Sequence, residues 1–407
     1  MFNVTFDATH GNTLLFSEPV ILHCNHYNAF LQRTILDPDY IDCRDVLSDA
    51  AAMAFIKPLQ QLKGANAGED TADYLIRAGH LFSYCGYGLL DFSASTESGG
   101  VVRSAVSHYS TAWKNKFGLA KEPMAFFDAG FISVALSVAH GKPLGSYKVV
   151  QKTCTSMGGP ENIFEVILAN DHVLPGNPVW ALPPDAPPAR SVHSSLDEDF
   201  IVRSLAIMPM QGNAEGLIPA FGVVFTRMAP DYYNRISFEF EKRLEQVTGD
   251  NTLGALLLAE AGHSCAFNTF GGIMTSAEWK ALIQPMCKTK EDWVHGIVAV
   301  VNSFGWGIWR VEEIKANERL RVRIYGGYES NGYQSMFGKS TSPKSHLARG
   351  GTAGIMNLLW HIDITQAPDL TEAFSVAEFS RPGAFVARQT ACRAMGAAYD
   401  EFVVERE

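Results

Sequence analysis

Long apolar runs, clustered cysteines and stretches of one charge are all missing from this chain, and each absence removes a class of function. No apolar segment approaches the roughly 20 residues that a membrane-spanning helix needs. The opening "MFNVTFDATHGNTLLF" has no basic start leading into an apolar stretch, so no secretory leader is expected. Seven cysteines, at 24, 43, 85, 154, 265, 287 and 392, are scattered and odd in number, with no CxxC pair. Neither a disulfide framework nor a zinc ribbon follows from that pattern. There is no Lys/Arg run, and the net charge of −10 argues against nucleic acid or an anionic membrane as the main partner, because both require a basic face. GxGxxG, GxSxG, HExxH and P-loop motifs are also absent, leaving dinucleotide, serine-hydrolase, zinc-protease and phosphoryl-transfer chemistry without support. A cytoplasmic protein with reduced, mostly buried cysteines is expected.

The chain is rich in core-forming residues. Its 407 residues, 47% hydrophobic and 19% charged, suit two globular domains, each able to bury its own interior. "QKTCTSMGGPENIFEV" (151–166) is echoed by "QTACRAMGAAYDEFVV" (389–404), with Gln, Cys, Met, Gly, Phe and Val at matching places. Further pairs follow in the same order, as a duplication requires. Residues 11–30 match 250–270 through His23/His263 and Asn28/Asn268, and "MAFIKPL" matches "KALIQPM". "YCGYGLLDF" matches "SFGWGIWRV", and "NKFG" matches "SMFG". The Pro-rich stretch 176–198 reads as a linker between repeat 1 (1–175) and repeat 2 (199–407). On this alignment repeat 2 carries an extra opening: a strand-like "FGVVFTRM" and an amphipathic helix from Pro230 to about Val247.

Within each half, helical segments precede the GxG, strand-like alternation follows it, a helix covers Gly130–His140 or Gly351–Trp360, and two strands flank the Cys–Met–Gly turn. The expected class is α+β, with an antiparallel sheet and helices on one face in each repeat.

The terminal pattern of strand, Cys, small-Gly turn and aromatic strand, preceded by the GxG and the "GFISVAL" or "GTAGIMN" helix, resembles the V4R (4-vinyl reductase) domain in tandem. The family includes aromatic-sensing input domains, a protein tied to bacteriochlorophyll vinyl reduction and hydrocarbon-binding proteins. The resemblance implies an internal pseudo-dimer and a mostly apolar pocket for a small hydrophobic or aromatic molecule, with a tetrapyrrole as one candidate. No helix-turn-helix or ATPase segment is read after either half, so the expectation is a binding protein without a DNA-binding or ATPase output domain of its own, acting through a homodimer or a separate protein partner.

Family sensors often carry a zinc-binding Glu-x2-Cys-x7-Cys arrangement. Here Gln151, Cys154 and Asn162 stand at those places in one half, and Gln389, Cys392 and Asp400 in the other. Too few soft ligands remain for structural zinc. Cys154 and Cys392 are then either reactive thiols or small buried residues beside a tight turn, the second being preferred.

The segment "LHCNHYN" (22–28) is the most polar cluster. On a helix, His23, His26 and Tyr27 would share a face. They are the catalytic candidates for an alternative reading as an enzyme, and His23 with His26 are candidates for a metal, with iron or haem as options. The competing reading is a hydrogen-bonded helix packed on the sheet. Tyr84, Tyr87, His108, Tyr109 and Trp113 are the candidate ligand contacts, since aromatics with polar tips suit a planar molecule and equally build a core.

Overall fold

The computed structural model describes residues 2, 4–7, 10–65, 68–174, 194–371, 374, 377, 378 and 381–407. The first half opens with β1 (Val4–Asp7), β2 (Asn12–Leu15) and β3 (Glu18–Cys24), followed by α1 (Asn25–Leu36), α2 (Arg44–Gly64) and α3 (Thr71–Tyr84). It continues through β4 (Asp91–Thr96), β5 (Gly99–Ser104), α4 (His108–Phe117), α5 (Phe126–His140), β6 (Tyr147–Thr153) and β7 (Asn162–Leu168). The second half begins with α6 (Glu198–Ala206), β8 (Ile218–Ala220), β9 (Val223–Met228) and α7 (Pro230–Thr248). Then come α8 (Leu253–Thr275), α9 (Ala277–Leu282), α10 (Lys290–Asn302), β10 (Ile308–Lys315), β11 (Arg319–Tyr325) and α11 (Tyr328–Phe337). It closes with α12 (His346–Met356), β12 (Phe385–Ala391) and β13 (Asp400–Arg406).

Every strand pairing among the described residues is antiparallel, so the fold is α+β. Two four-stranded sheets have corresponding orders, β4-β5-β7-β6 and β10-β11-β13-β12. Their ladders slip at matching places, between Gln151 and Thr153 and between Gln389 and Ala391. Alternation explains their faces. Leu320, Val322 and Ile324 of β11 are buried, whereas Arg319, Arg321 and Arg323 pair with Glu405 and Glu401 on the outer side. Helices cover the apolar side, with α5 against β6 and α12 against β12.

A third sheet, β1-β2-β3-β9-β8, joins the halves. Its central ladder pairs Ile21 with Met228 and Cys24 with Phe225. Each of the two strands also receives the GxG turn of the other half. Leu22 N donates to Phe304 O at 2.9 Å, and Arg227 N donates to Cys85 O at 2.8 Å. Glycine is required there. Gly86 has φ +90°, and a Cβ would lie 2.6 Å from Phe225 O; Gly305 has φ +83°, with Val20 O at 3.0 Å.

Three expectations change. The match of 11–30 with 250–270 does not hold in space, because 12–24 form strands β2 and β3 whereas 253–275 form the single helix α8. "EPVILHC" extends because its Pro and β-branched residues suit a strand, while the Ala/Leu-rich "LGALLLAEA" favours a helix. The segment read as extra in repeat 2 is a hairpin and helix, β8-β9-α7, which stands in the second half where β2-β3-α1 stands in the first. Pro58 lies inside α2, but Pro285 sits in a separate 3-10 turn after α9, so these prolines are not counterparts. Of the expected linker, 176–193 lie outside the described residues, and 194–198 lead into α6.

The seam glycines give the first test. Gly86→Ala should lower the unfolding free energy in urea by about 2 kcal/mol or more, since it adds a disfavoured φ to a backbone collision. Gly64→Ala, with open space around it, should change stability by no more than about 1 kcal/mol, in the favourable direction.

Candidate functional site

His23 lies on β3, not on a helix, because the strand runs through Cys24 and that residue caps α1 by accepting from Tyr27 N. The expected shared helical face of His23, His26 and Tyr27 is therefore absent. His23 and Tyr27 still meet, with ring centroids 4.5 Å apart. The imidazole also stacks on Trp306 at 4.5 Å and meets the edge of Tyr233 at 4.4 Å. It is wholly enclosed, its Nε2 lies 3.1 Å from the Tyr328 hydroxyl, and burial holds its pKa well below the ordinary value. Nδ1 has no hydrogen-bond partner among the described residues. His26, half-buried in the first turn of α1, has its pKa lowered to about 4 by burial and then by Lys116. No group of three His, Cys, Asp or Glu able to hold a metal occurs among the described residues.

Of the proposed ligand contacts, Tyr87, His108 and Tyr109 converge inside the first half. Tyr87 is buried and donates to Arg227 O at 2.5 Å. Asn28 ties His108 to the second half. Its amide nitrogen donates to His108 Nε2 at 3.0 Å and to Thr226 Oγ1 at 3.1 Å, while its oxygen accepts from Tyr233 at 2.6 Å. Burial lowers His108 to about 3. Tyr109 stacks on Phe127 at 5.3 Å. Tyr84 and Trp113 stand apart: Tyr84 packs on Phe2 and Trp113 on Phe117.

Asp128, which sequence reading passed over, lies fully buried in the same interior. Burial raises its pKa to about 8, opposed by the Ser107 hydroxyl and its own backbone N–H. Among the described residues neither carboxyl oxygen makes a hydrogen bond of ordinary geometry, and neither do the neighbouring hydroxyls of Tyr109 and Tyr232, which face each other. Asp128 lies in "FFDAGF", where a first-turn acid on an otherwise apolar helix was the available signal.

The Cys–Met–Gly turns are hydrogen-bonded knots. Asn162 Oδ1 accepts from Ser110 at 3.0 Å, Gln151 at 3.0 Å and Thr155 N at 3.1 Å. Asp400 Oδ1 accepts from Ser330 at 2.6 Å, Gln389 at 2.9 Å and Arg393 N at 2.9 Å. Cys154 and Cys392 are buried beside Ser110 and Ser330. This donor set does not fit zinc, since each site offers one thiol and the glutamine amide is spent on Asn162 or Asp400.

A large cavity lies elsewhere among the described residues. A cleft of about 810 Å³ opens between α8, α12 and β12, with Phe30 of α1 and Lys116 of α4 at its wall. Gly350 permits the close crossing of α12 on α8, since a Cβ would lie 2.2 Å from Ala259 O. Leu256, Leu257, Phe267 and Phe385 supply apolar lining. The polar lining is organised around Asn357, which accepts from Phe385 N at 2.7 Å and donates to Phe385 O at 2.9 Å. That orientation makes its amide the donor to His263 Nε2 at 3.0 Å, and burial lowers His263 to about 4. Lys116 donates to Asn268 Oδ1 at 3.0 Å and lies 5.1 Å above the Phe30 ring. His263 and Asn268 were noticed in the sequence only as partners in a repeat. A second cavity of about 720 Å³ lies between α3 and β4, with Ile76, Leu90 and His80 among its lining.

Comparison with family models and with curated proteins yields no match. Among solved structures, the phenol-responsive sensory domain of the transcription activator PoxR, in complex with phenol, is similar at 14% identity with a TM-score of 0.37. The match covers 40% of this chain and 84% of that one. No helix among the described residues is long and apolar enough to cross a membrane.

Asp128 offers a pH test with a definite sign. Between about pH 4 and 8 the carboxyl ionises in the unfolded chain but stays protonated in the folded one, so this group costs stability as pH rises. The slope is about 1.4 kcal/mol per pH unit and levels off above the folded pKa. Relative to wild type, the Asp128→Asn variant should therefore gain stability steadily across that window in urea titrations, with no further gain above it. A constant difference at all pH values would show that Asp128 is ionised in the folded protein.

Proposed function

We propose that this protein binds a small, largely apolar molecule, aromatic or hydrocarbon-like, in the cleft between α8, α12 and β12. The observation that carries this is the cleft itself. Its volume of about 810 Å³ falls within the range of small-molecule sites, and apolar walls with a few fixed polar groups are the usual lining of such sites. His263, held by Asn357 and kept neutral by burial, adds polarity to that wall without adding a charge.

The reading includes two V4R-like modules, 1–175 and 199–407, packed as an internal pseudo-dimer. Matching strand orders and the two Cys–Met–Gly knots support it. It assigns the working cleft mainly to second-half elements, although the candidate contacts chosen from sequence lie in the first half. Acid–base chemistry at His23, His26 and Tyr27 has weaker support, because His23 is enclosed by rings and faces no cavity among those described.

Binding can be followed with the neutral fluorophore N-phenyl-1-naphthylamine, alongside native mass spectrometry of protein purified from its own host. The fluorophore should bind with a micromolar Kd and one site per chain. Val386→Trp, placed at the half-buried edge of the cleft, should weaken it at least ten-fold while leaving the unfolding temperature unchanged. Unaltered binding in that variant would remove the cleft from the assignment.

A further inference from the structure

Resting on that reading of the cleft, we infer that its natural ligand carries an acidic group, a carboxylate, sulfonate or phosphate, seated against Arg349. The chain as a whole is strongly acidic, with a net charge of −10. The charged side chains of the cleft run the other way: Lys116 and Arg349 are joined by one carboxyl, Glu260. Burial raises the pKa of Glu260, shifting it toward its neutral form.

Arg349 is distinctive among the described residues. Every other described arginine that is not exposed takes part in a hydrogen bond or ion pair. Arg349 is half-buried on the cleft wall, and it forms no ion pair or side-chain hydrogen bond among the described residues. Packing does not demand it. One residue before the crossing glycine, α12 has Arg349 next to Gly350, where α5 has Ala129 next to Gly130. In the smaller cavity of about 390 Å³ beside Gly130, the polar lining is internally paired, His172 being hydrogen-bonded to Asp49 at 2.9 Å. The cleft therefore holds a cation that the surrounding fold neither neutralises nor requires. A guanidinium in such a place matches the two oxygens of an acidic group, while the adjacent apolar wall takes the rest of the molecule.

Two probes of closely related shape separate the charge from the apolar body: neutral N-phenyl-1-naphthylamine and 8-anilinonaphthalene-1-sulfonate. On the full chain at low salt, the sulfonate should bind at least ten-fold more tightly. Val386→Trp should weaken both. Arg349→Met should abolish the preference while retaining the neutral probe, and Arg349→Lys should restore part of it. The inference is overturned if the neutral probe binds in the cleft and the sulfonate binds no better, or if the preference survives Arg349→Met. Failure of both probes to respond to Val386→Trp overturns the cleft reading itself, and the acidic-ligand inference with it.

Discussion

Two strands, β3 and β9, hold the molecule together by exchanging main-chain hydrogen bonds between its halves. A buried N–H or C=O left unpaired is costly, so the partners of these strands fix where everything around them sits. Leu22 must meet Phe304, and Arg227 must meet Cys85. Those contacts set the GxG turns, and the turns aim α3 and α10 at their sheets. The Trp306 indole, donating to Leu22 O at 2.8 Å, is drawn over His23 by the same constraint. The aromatic interior is thus a result of the seam: rings from β3, α1, α7 and the second-half turn meet because the backbone beneath them is already paired.

The α+β class, the alternating strands after each GxG, and the strand-turn-strand around each cysteine were legible from residue pattern alone. Period-2 alternation in "RLRVRIYGG" fixes which side is buried, and the paired Gln, Cys and Gly mark a hydrogen-bonded unit whose partners lie within the same segment or on an earlier helix of the same half. Register across the halves was not legible. "LHCNHYN" and "GHSCAFN" share letters, yet one ends a strand and turns into α1 while the other lies inside a 23-residue helix, because tertiary pairing with β9 decides the first and packing on α12 the second. Local composition does not encode that choice. The cleft was hidden for a related reason. Its walls come from segments far apart in sequence, Phe30, His263, Arg349 and Phe385, and those that had drawn notice were read as repeat partners, not as one site.

Buried ionisable groups divide the protein into two electrostatic regimes. At the seam and in the first-half interior, His23, His108 and Asp128 are all held toward their neutral forms by burial, which gives a dry, uncharged core. In the second half charged pairs are kept, Lys344 donating to Glu241 at 3.0 Å and Arg323 to Glu401 at 2.8 Å, beside Asp400 of β13, which burial shifts toward its neutral form. Glu329 lies between these regimes. It caps α12 by accepting from Leu347 N at 2.9 Å and Ala348 N at 3.1 Å, while burial raises its pKa to about 7. The helix that carries Arg349 therefore starts on a carboxyl poised near neutrality.

An antiparallel strand pair looks alike after a half-turn about its midpoint. A fragment cut between the halves would leave β3 with an open edge, and the template most at hand for that edge is the same strand in another copy of the fragment. Severing this chain would therefore produce self-pairing pieces, not a tidy monomer.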